Sequence, residues 1–143
     1  MSLRSIPLML IALIFYNIVV MLGGGSAAPE SVFGLRHELF SLPSVRGDAR
    51  WSFSWGDLII LVTLMLLFVE LLKATYTSTA SLLDHGLSMF VFIAALVEFL
   101  LVDKAFTSVF FIIMVATLID VIAGYTIGIR VARRDIGFGN MDN

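Results

Sequence analysis

Apolar and polar positions alternate along this chain on the scale of whole helices. Four long apolar runs, Ile6 to Leu22, Gly56 to Tyr76, Ser81 to Val102 and Ala105 to Arg130, are separated by polar breaks. At about 1.5 Å of rise per residue, each run is long enough to cross or nearly cross a bilayer core of about 30 Å. The pattern predicts an all-α integral membrane protein with four transmembrane helices in an up-down bundle. The expected spans are 6–22, 56–76, 81–102 and 105–130, with an outer loop at 23–55 and a polar, glycine-rich tail at 131–143 that is expected to fray. The short connections after the second and third spans make spans two to four antiparallel neighbours. No internal repeat is visible, so nothing points to an inverted-repeat transporter.

The first run has a rival reading. Arg4 before it and Gly25-Ser26-Ala27-Ala28 after it resemble the flanks of a signal peptide. The apolar run is longer than the usual signal core of about 7–15 residues, which favours a retained helix. In the outer loop, Val32, Leu35, Leu39 and Leu42 recur at helical spacing within Ser31 to Leu42. That spacing predicts a short amphipathic helix lying at the membrane surface and stopped by Pro43. Trp51, Phe53 and Trp55 follow as an interfacial aromatic belt. Ser81 with Asp84 has the spacing of a helix N-terminal cap for the third span, and Thr107 or Asp103 is expected to cap the fourth.

Composition strengthens the membrane reading. The chain of 143 residues is 59% hydrophobic and 14% charged, and its mean hydropathy is +1.02. Soluble domains run at about 45–50% apolar and about 25% charged. A net charge of −2 gives no basic field for nucleic acid. There is no cysteine, which excludes disulfides, thiolate metal sites and cysteine nucleophiles, and only two histidines, His37 and His85. No cofactor is expected. Arg4, Lys73, Arg130, Arg133 and Arg134 fall on one side of the expected topology. Arg36, Arg46, Arg50 and Lys104 fall on the other and are offset by acids. The positive-inside rule therefore places both termini in the cytoplasm and the outer loop outside. The expected location is a bacterial inner membrane.

Polar residues inside the apolar runs are the candidate site. Glu70, Glu98 and Asp120 are acids within spans, and a carboxylate facing lipid costs at least about 2.5 kcal/mol. Glu70 is about 22 Å along its helix from Trp55, and Asp120 is about as far from Ala105, so the two share a depth in the inner half of the membrane. Lys73 is one turn beyond Glu70 and can pair with it. Glu98 falls near the outer face, with Lys104 and the aromatic residues of the outer loop as expected companions. Asp120 lies on a stripe with Ala116, Gly124 and Gly128, and Gly124 to Gly128 is a GxxxG match that suits close helix packing. Arg130, Arg133 and Arg134 cluster at the end of the last span, as a topology anchor or a site for anionic lipid headgroups and not as a voltage sensor. Asp84 with His85 could form an acid–base pair, but adjacent helical residues point about 100° apart, and a cap beside an interfacial histidine fits better.

These residues permit two kinds of role for the acids: a proton or cation site, or buried pairs that fix helix register. Small size, little mass outside the membrane and the lack of a nucleophile or metal set favour a non-enzymatic accessory, scaffold or assembly subunit of a larger membrane complex. The expected partners are the lipid bilayer and other membrane subunits or a second copy. A small oligomeric proton or cation channel or transporter is the alternative, and a lipid-active enzyme ranks below both.

Overall fold

In a computed structural model, residues 6–22, 35–75 and 79–138 are described, with side chains of the last segment described over 86–130. Four α-helices account for most of them: α1 (Met9–Leu22), α2 (Trp55–Ala74), α3 (Thr79–Leu101) and α4 (Ser108–Phe138). A short antiparallel hairpin, β1 (Glu38–Pro43) and β2 (Arg50–Ser54), leads directly into α2. A 3-10 turn at Asp103–Ala105 joins α3 to α4. Two stretches, Trp55–Ala74 and Ser108–Arg130, are long and apolar enough to cross a membrane, and Met9–Leu22 and Gly86–Leu101 are shorter apolar helices.

Every helix is polarised in the same unusual sense. On α2 the buried positions are Gly56, Ile59, Thr63, Leu67, Glu70 and Ala74, whereas Leu61, Leu64, Met65, Phe68, Val69 and Leu72 are exposed. On α4, Ala116, Thr117 and Asp120 are buried and Ile112, Leu118, Ile119 and Ile122 are exposed. On α3, Ser88, Val91 and Ala95 are buried and Met89, Phe90, Ile93 and Val97 are exposed. The interior gathers the polar and many of the small residues beside Met9, Ile59, Phe110 and Ile113, and the outside of every helix is lined by large apolar side chains. Water-soluble helices show the opposite order.

α4 is the central helix and packs against both α2 and α3. α1 lies mainly against α2 and also touches α3 and α4. Its Met9, Ala12 and Tyr16 are fully buried, at helical spacing that gives one continuous inner face. A segment packed in this way is part of the bundle core.

The interfacial helix expected within Ser31 to Leu42 is replaced by the hairpin. Residues 31–34 of that stretch lie outside the described residues, Leu35-Arg36 form a turn, and Glu38–Pro43 is a strand. An isolated helix of that length is marginal. Strand pairing instead sets Phe40 opposite Phe53 and Leu42 opposite Trp51, which joins large apolar side chains across the ladder. The deciding signal is the alternation Trp51-Ser52-Phe53-Ser54, a period of two beside the turn at Gly47-Asp48.

Helix ends account for further corrections. α3 begins at Thr79, so Ser81 lies within its first turn and is not its cap. The side chains of Ser81, Asp84 and His85 lie outside the described residues. The S-x-x-D pattern that does cap a helix is Ser54 with Asp57 at the start of α2, where both reciprocal bonds of a capping box are present. Thr107 caps α4 by accepting the Phe110 N–H at 3.1 Å. α4 runs on to Phe138, so the expected frayed tail is helical over most of its length. The first glycine-rich break after the arginines comes only at Gly137 to Gly139, so helix-compatible residues carry the turn pattern that far.

Gly56 sets how the hairpin meets the bundle. Its N–H donates to the Leu35 carbonyl at 2.9 Å, one residue after Trp55 donates to the His37 carbonyl at 3.2 Å. A Cβ at Gly56 would sit 2.9 Å from that Leu35 oxygen and 3.1 Å from Val109 Cγ2, whereas one at Gly86 meets nothing within 4 Å. Gly56→Ala should therefore lower the melting temperature in detergent, followed by circular dichroism. Gly86→Ala, in the interior of α3, should leave it unchanged or raise it.

Candidate functional site

The polar groups of the interior collect at two levels, one at each end of α1. The first is built on Glu70, which is 4% exposed and faces inward from the last turns of α2. Its Oε1 accepts from Lys73 Nζ at 3.0 Å, an i,i+3 pair on the same helix. Its Oε2 accepts the backbone N–H of Leu8 at 3.0 Å. Lys73 also donates to the Ile6 carbonyl at 3.2 Å. The pair thus closes around the N-terminal end of α1.

The reason lies in the sequence of α1. Its first turn contains no acidic residue to offset the partial positive charge of its N-terminus, and although the Pro7 and Leu8 carbonyls accept the Leu10 and Ile11 N–H groups, the Leu8 N–H is met from outside the helix. In apolar surroundings an unmet N–H costs several kcal/mol. Glu70 supplies the acceptor and the negative charge from another helix. Lys73 compensates that charge and satisfies a carbonyl in the same step.

Asp120 is 2% exposed on α4 and acts electrostatically on Glu70 across the α2–α4 contact. Both acids are buried in the interior, and Lys73 pairs with Glu70. Ser88 of α3 is buried at a comparable level. It stands about 20 Å before the end of α3, and Asp120 stands about 18 Å after the start of α4. The Ser88 hydroxyl makes no hydrogen bond among the described residues. Other hydroxyls in the helices bond back to their own backbone: Thr63 to Ile59, Thr117 to Met114 and Thr126 to Ile122.

The second level lies at the C-terminal half of α1. The Tyr16 hydroxyl donates to the Lys104 carbonyl at 2.8 Å and shares a bond with Thr107 Oγ1 at 2.7 Å. A carbonyl can only accept, so Tyr16 gives its one proton to Lys104 and Thr107 is the donor in the second bond. Thr107 Oγ1 in turn accepts from Phe110 N. One tyrosine thereby joins α1, the turn after α3 and the cap of α4. Its ring also meets Phe110 edge-on at 4.9 Å. No local sequence pattern singles out Tyr16. Its partners lie 88 and 91 residues away, beyond any local pattern.

The remaining candidates divide. Ala116 and Gly124 are buried and Gly128 is half-buried, which fits the small-residue stripe. Arg130 is exposed, and the side chains of Arg133 and Arg134 lie outside the described residues. Trp51 is exposed, while Phe53 and Trp55 are half-buried. Glu98 is half-buried and makes no ion pair with Lys104; it lies within electrostatic range of Tyr16 instead. Lys104 contributes its backbone carbonyl, which accepts from Tyr16. Two clefts, of about 210 and 560 Å³, both include Thr107 and Ser108 and so open at the end of α4 away from Asp120. No protein-family model, no characterised protein and no solved structure matches the chain.

The α1 contacts can be weighed by mutation. Glu70→Ala leaves a buried N–H and a cation without their acceptor, and it should cost about 3 kcal/mol in reversible unfolding. Lys73→Ala should cost less, because Lys73 is 23% exposed. The double variant should be less destabilised than the sum of the singles. Tyr16→Phe should cost about 1 kcal/mol, measured the same way.

Proposed function

We propose that this chain is a non-enzymatic, four-span integral membrane protein that serves as an accessory or assembly subunit of a larger membrane complex. The observation that carries the membrane part is the inverted polarity of the helices. Ile11, Ile14 and Ile18 on α1 continue the exposed apolar surface of α2, α3 and α4, and soluble monomers do not leave such continuous surface to water. α2 and α4 have the length of spans. α3 has 23 residues and is long enough as well. α1, with 14 residues, reaches about 21 Å, a shortfall that bilayer thinning and the Lys73 head at its N-terminal end accommodate. In this reading both termini are cytoplasmic and the hairpin is outside.

The accessory role is supported by where the interior charges are engaged. Glu70 and Lys73 hold the backbone of α1, which is a structural use of the strongest ionic groups in the bundle. A proton or cation channel is the second reading, favoured by Asp120 lying buried within reach of the field of Glu70. Extraction from native membranes in mild detergent separates the two. The accessory reading expects companion subunits at fixed stoichiometry and no ion flux from the purified chain in liposomes. A proton or cation flux that Asp120→Asn abolishes, with the fold intact by circular dichroism, would replace it with the channel reading.

A further inference from the structure

The hairpin has two chemically distinct faces. Pairing places Phe40, Leu42, Trp51 and Phe53 on one side of the ladder, and Ser41, Ser52 and Arg50 on the other. On the apolar side Phe40 stacks on Phe53 at 5.0 Å between centroids and meets Trp51 edge-on at 6.1 Å. The rings form one ordered array, yet Phe40, Leu42 and Trp51 are 48%, 53% and 55% exposed.

Three features say what covers this face. β2 ends at Ser54 and α2 begins at Trp55, so no spacer lifts the hairpin away from the helix. The exposed apolar flank of α2 starts at Leu61, less than two turns on, so the aromatic face continues a surface that already requires lipid. Arg46 in the turn and Arg50 on the polar face are exposed cations on the same hairpin, suited to lipid phosphates. The depth is limited by the backbone. A two-stranded hairpin has unpaired N–H and C=O groups along both outer edges, which hydrocarbon does not tolerate and hydrated headgroups do.

The geometry points to the Phe40–Leu42–Trp51–Phe53 face as a phospholipid-binding surface, seated at headgroup level in the leaflet where α2 begins. It is a β-hairpin anchor in place of the interfacial helix expected within Ser31 to Leu42, and it rests on the reading of α2 as a span. A partner protein of the same apolar character is the competing occupant.

Trp51 and Trp55 are the two tryptophans, so Trp55→Phe leaves Trp51 as the sole indole. The full chain carrying this change is reconstituted in phosphatidylcholine vesicles brominated at shallow or at deep acyl positions. Shallow bromines should quench Trp51 severalfold more than deep ones, with partial shielding from aqueous acrylamide. Full acrylamide access without bromolipid quenching would place the face in water, and shielding from both quenchers would place it against protein; either overturns the proposal. The chain has no cysteine, so Ser41→Cys and Leu42→Cys with nitroxide labels give an independent reading. The Leu42 label should collide with oxygen and the Ser41 label with a water-soluble nickel chelate. Equal nickel access at both sites would sink the idea. An alkaline carbonate wash of the same vesicles keeps the two readings apart. Release of the chain defeats the spanning reading, whereas retention with a water-exposed Trp51 defeats the anchor alone.

Discussion

The constraint on which this structure depends is that polar groups inside an apolar bundle must find their partners within the chain. In water an uncapped helix end is hydrated at little cost. In hydrocarbon it is not, and the fold has to supply what solvent would. The N-terminal end of α1 shows the consequence. It has no acidic residue of its own, and Glu70 and Lys73 reach it from a helix more than 60 residues on. The same rule governs the other end of α1, where a single hydroxyl on Tyr16 meets both a carbonyl of the α3–α4 turn and the cap of α4. Thr63, Thr117 and Thr126 satisfy the rule more simply, by bonding back to their own helices.

Inverted polarity follows from the same constraint. Once carboxylates, hydroxyls and small residues are turned inward, the large aliphatic side chains are left for the outside. Close packing at Ala95, Ala116 and Gly124 lets helix backbones approach, so that short side chains such as Ser88 and Asp120 lie within the helix contacts.

Much of this was legible in the sequence, and the limits of legibility have a physical pattern. The helices follow from runs of apolar residues and their breaks, because length and composition are local quantities. The Glu70–Lys73 pair follows from three-residue spacing, and the burial of Glu70 and Asp120 follows from the cost of leaving an acid on an apolar surface. Contacts made by backbone groups across long sequence separations were not legible: no pattern marks the Leu8 N–H or the Lys104 carbonyl as a partner. The hairpin was missed for a different reason. Leu35, Leu39 and Leu42 fit a helical period, but Phe40, Leu42, Trp51 and Phe53 fit a period of two across a turn, and the cross-strand aromatic contacts decide between them. The S-x-x-D pattern shows a third kind of limit. It occurs at Ser54 and at Ser81, and only the first coincides with a helix start, because there the strand before it holds the cap in extended geometry.

The clamping of α1 at both ends also bears on the order of assembly. α1 precedes every element that holds it. Its N-terminal contacts cannot close until Glu70 and Lys73 have been synthesised, and its Tyr16 contacts cannot close until Lys104 and Thr107 have followed. Of the described helices α1 is the first made and the last to be locked. Until Lys104 and Thr107 arrive, its Tyr16 hydroxyl lacks both of its partners.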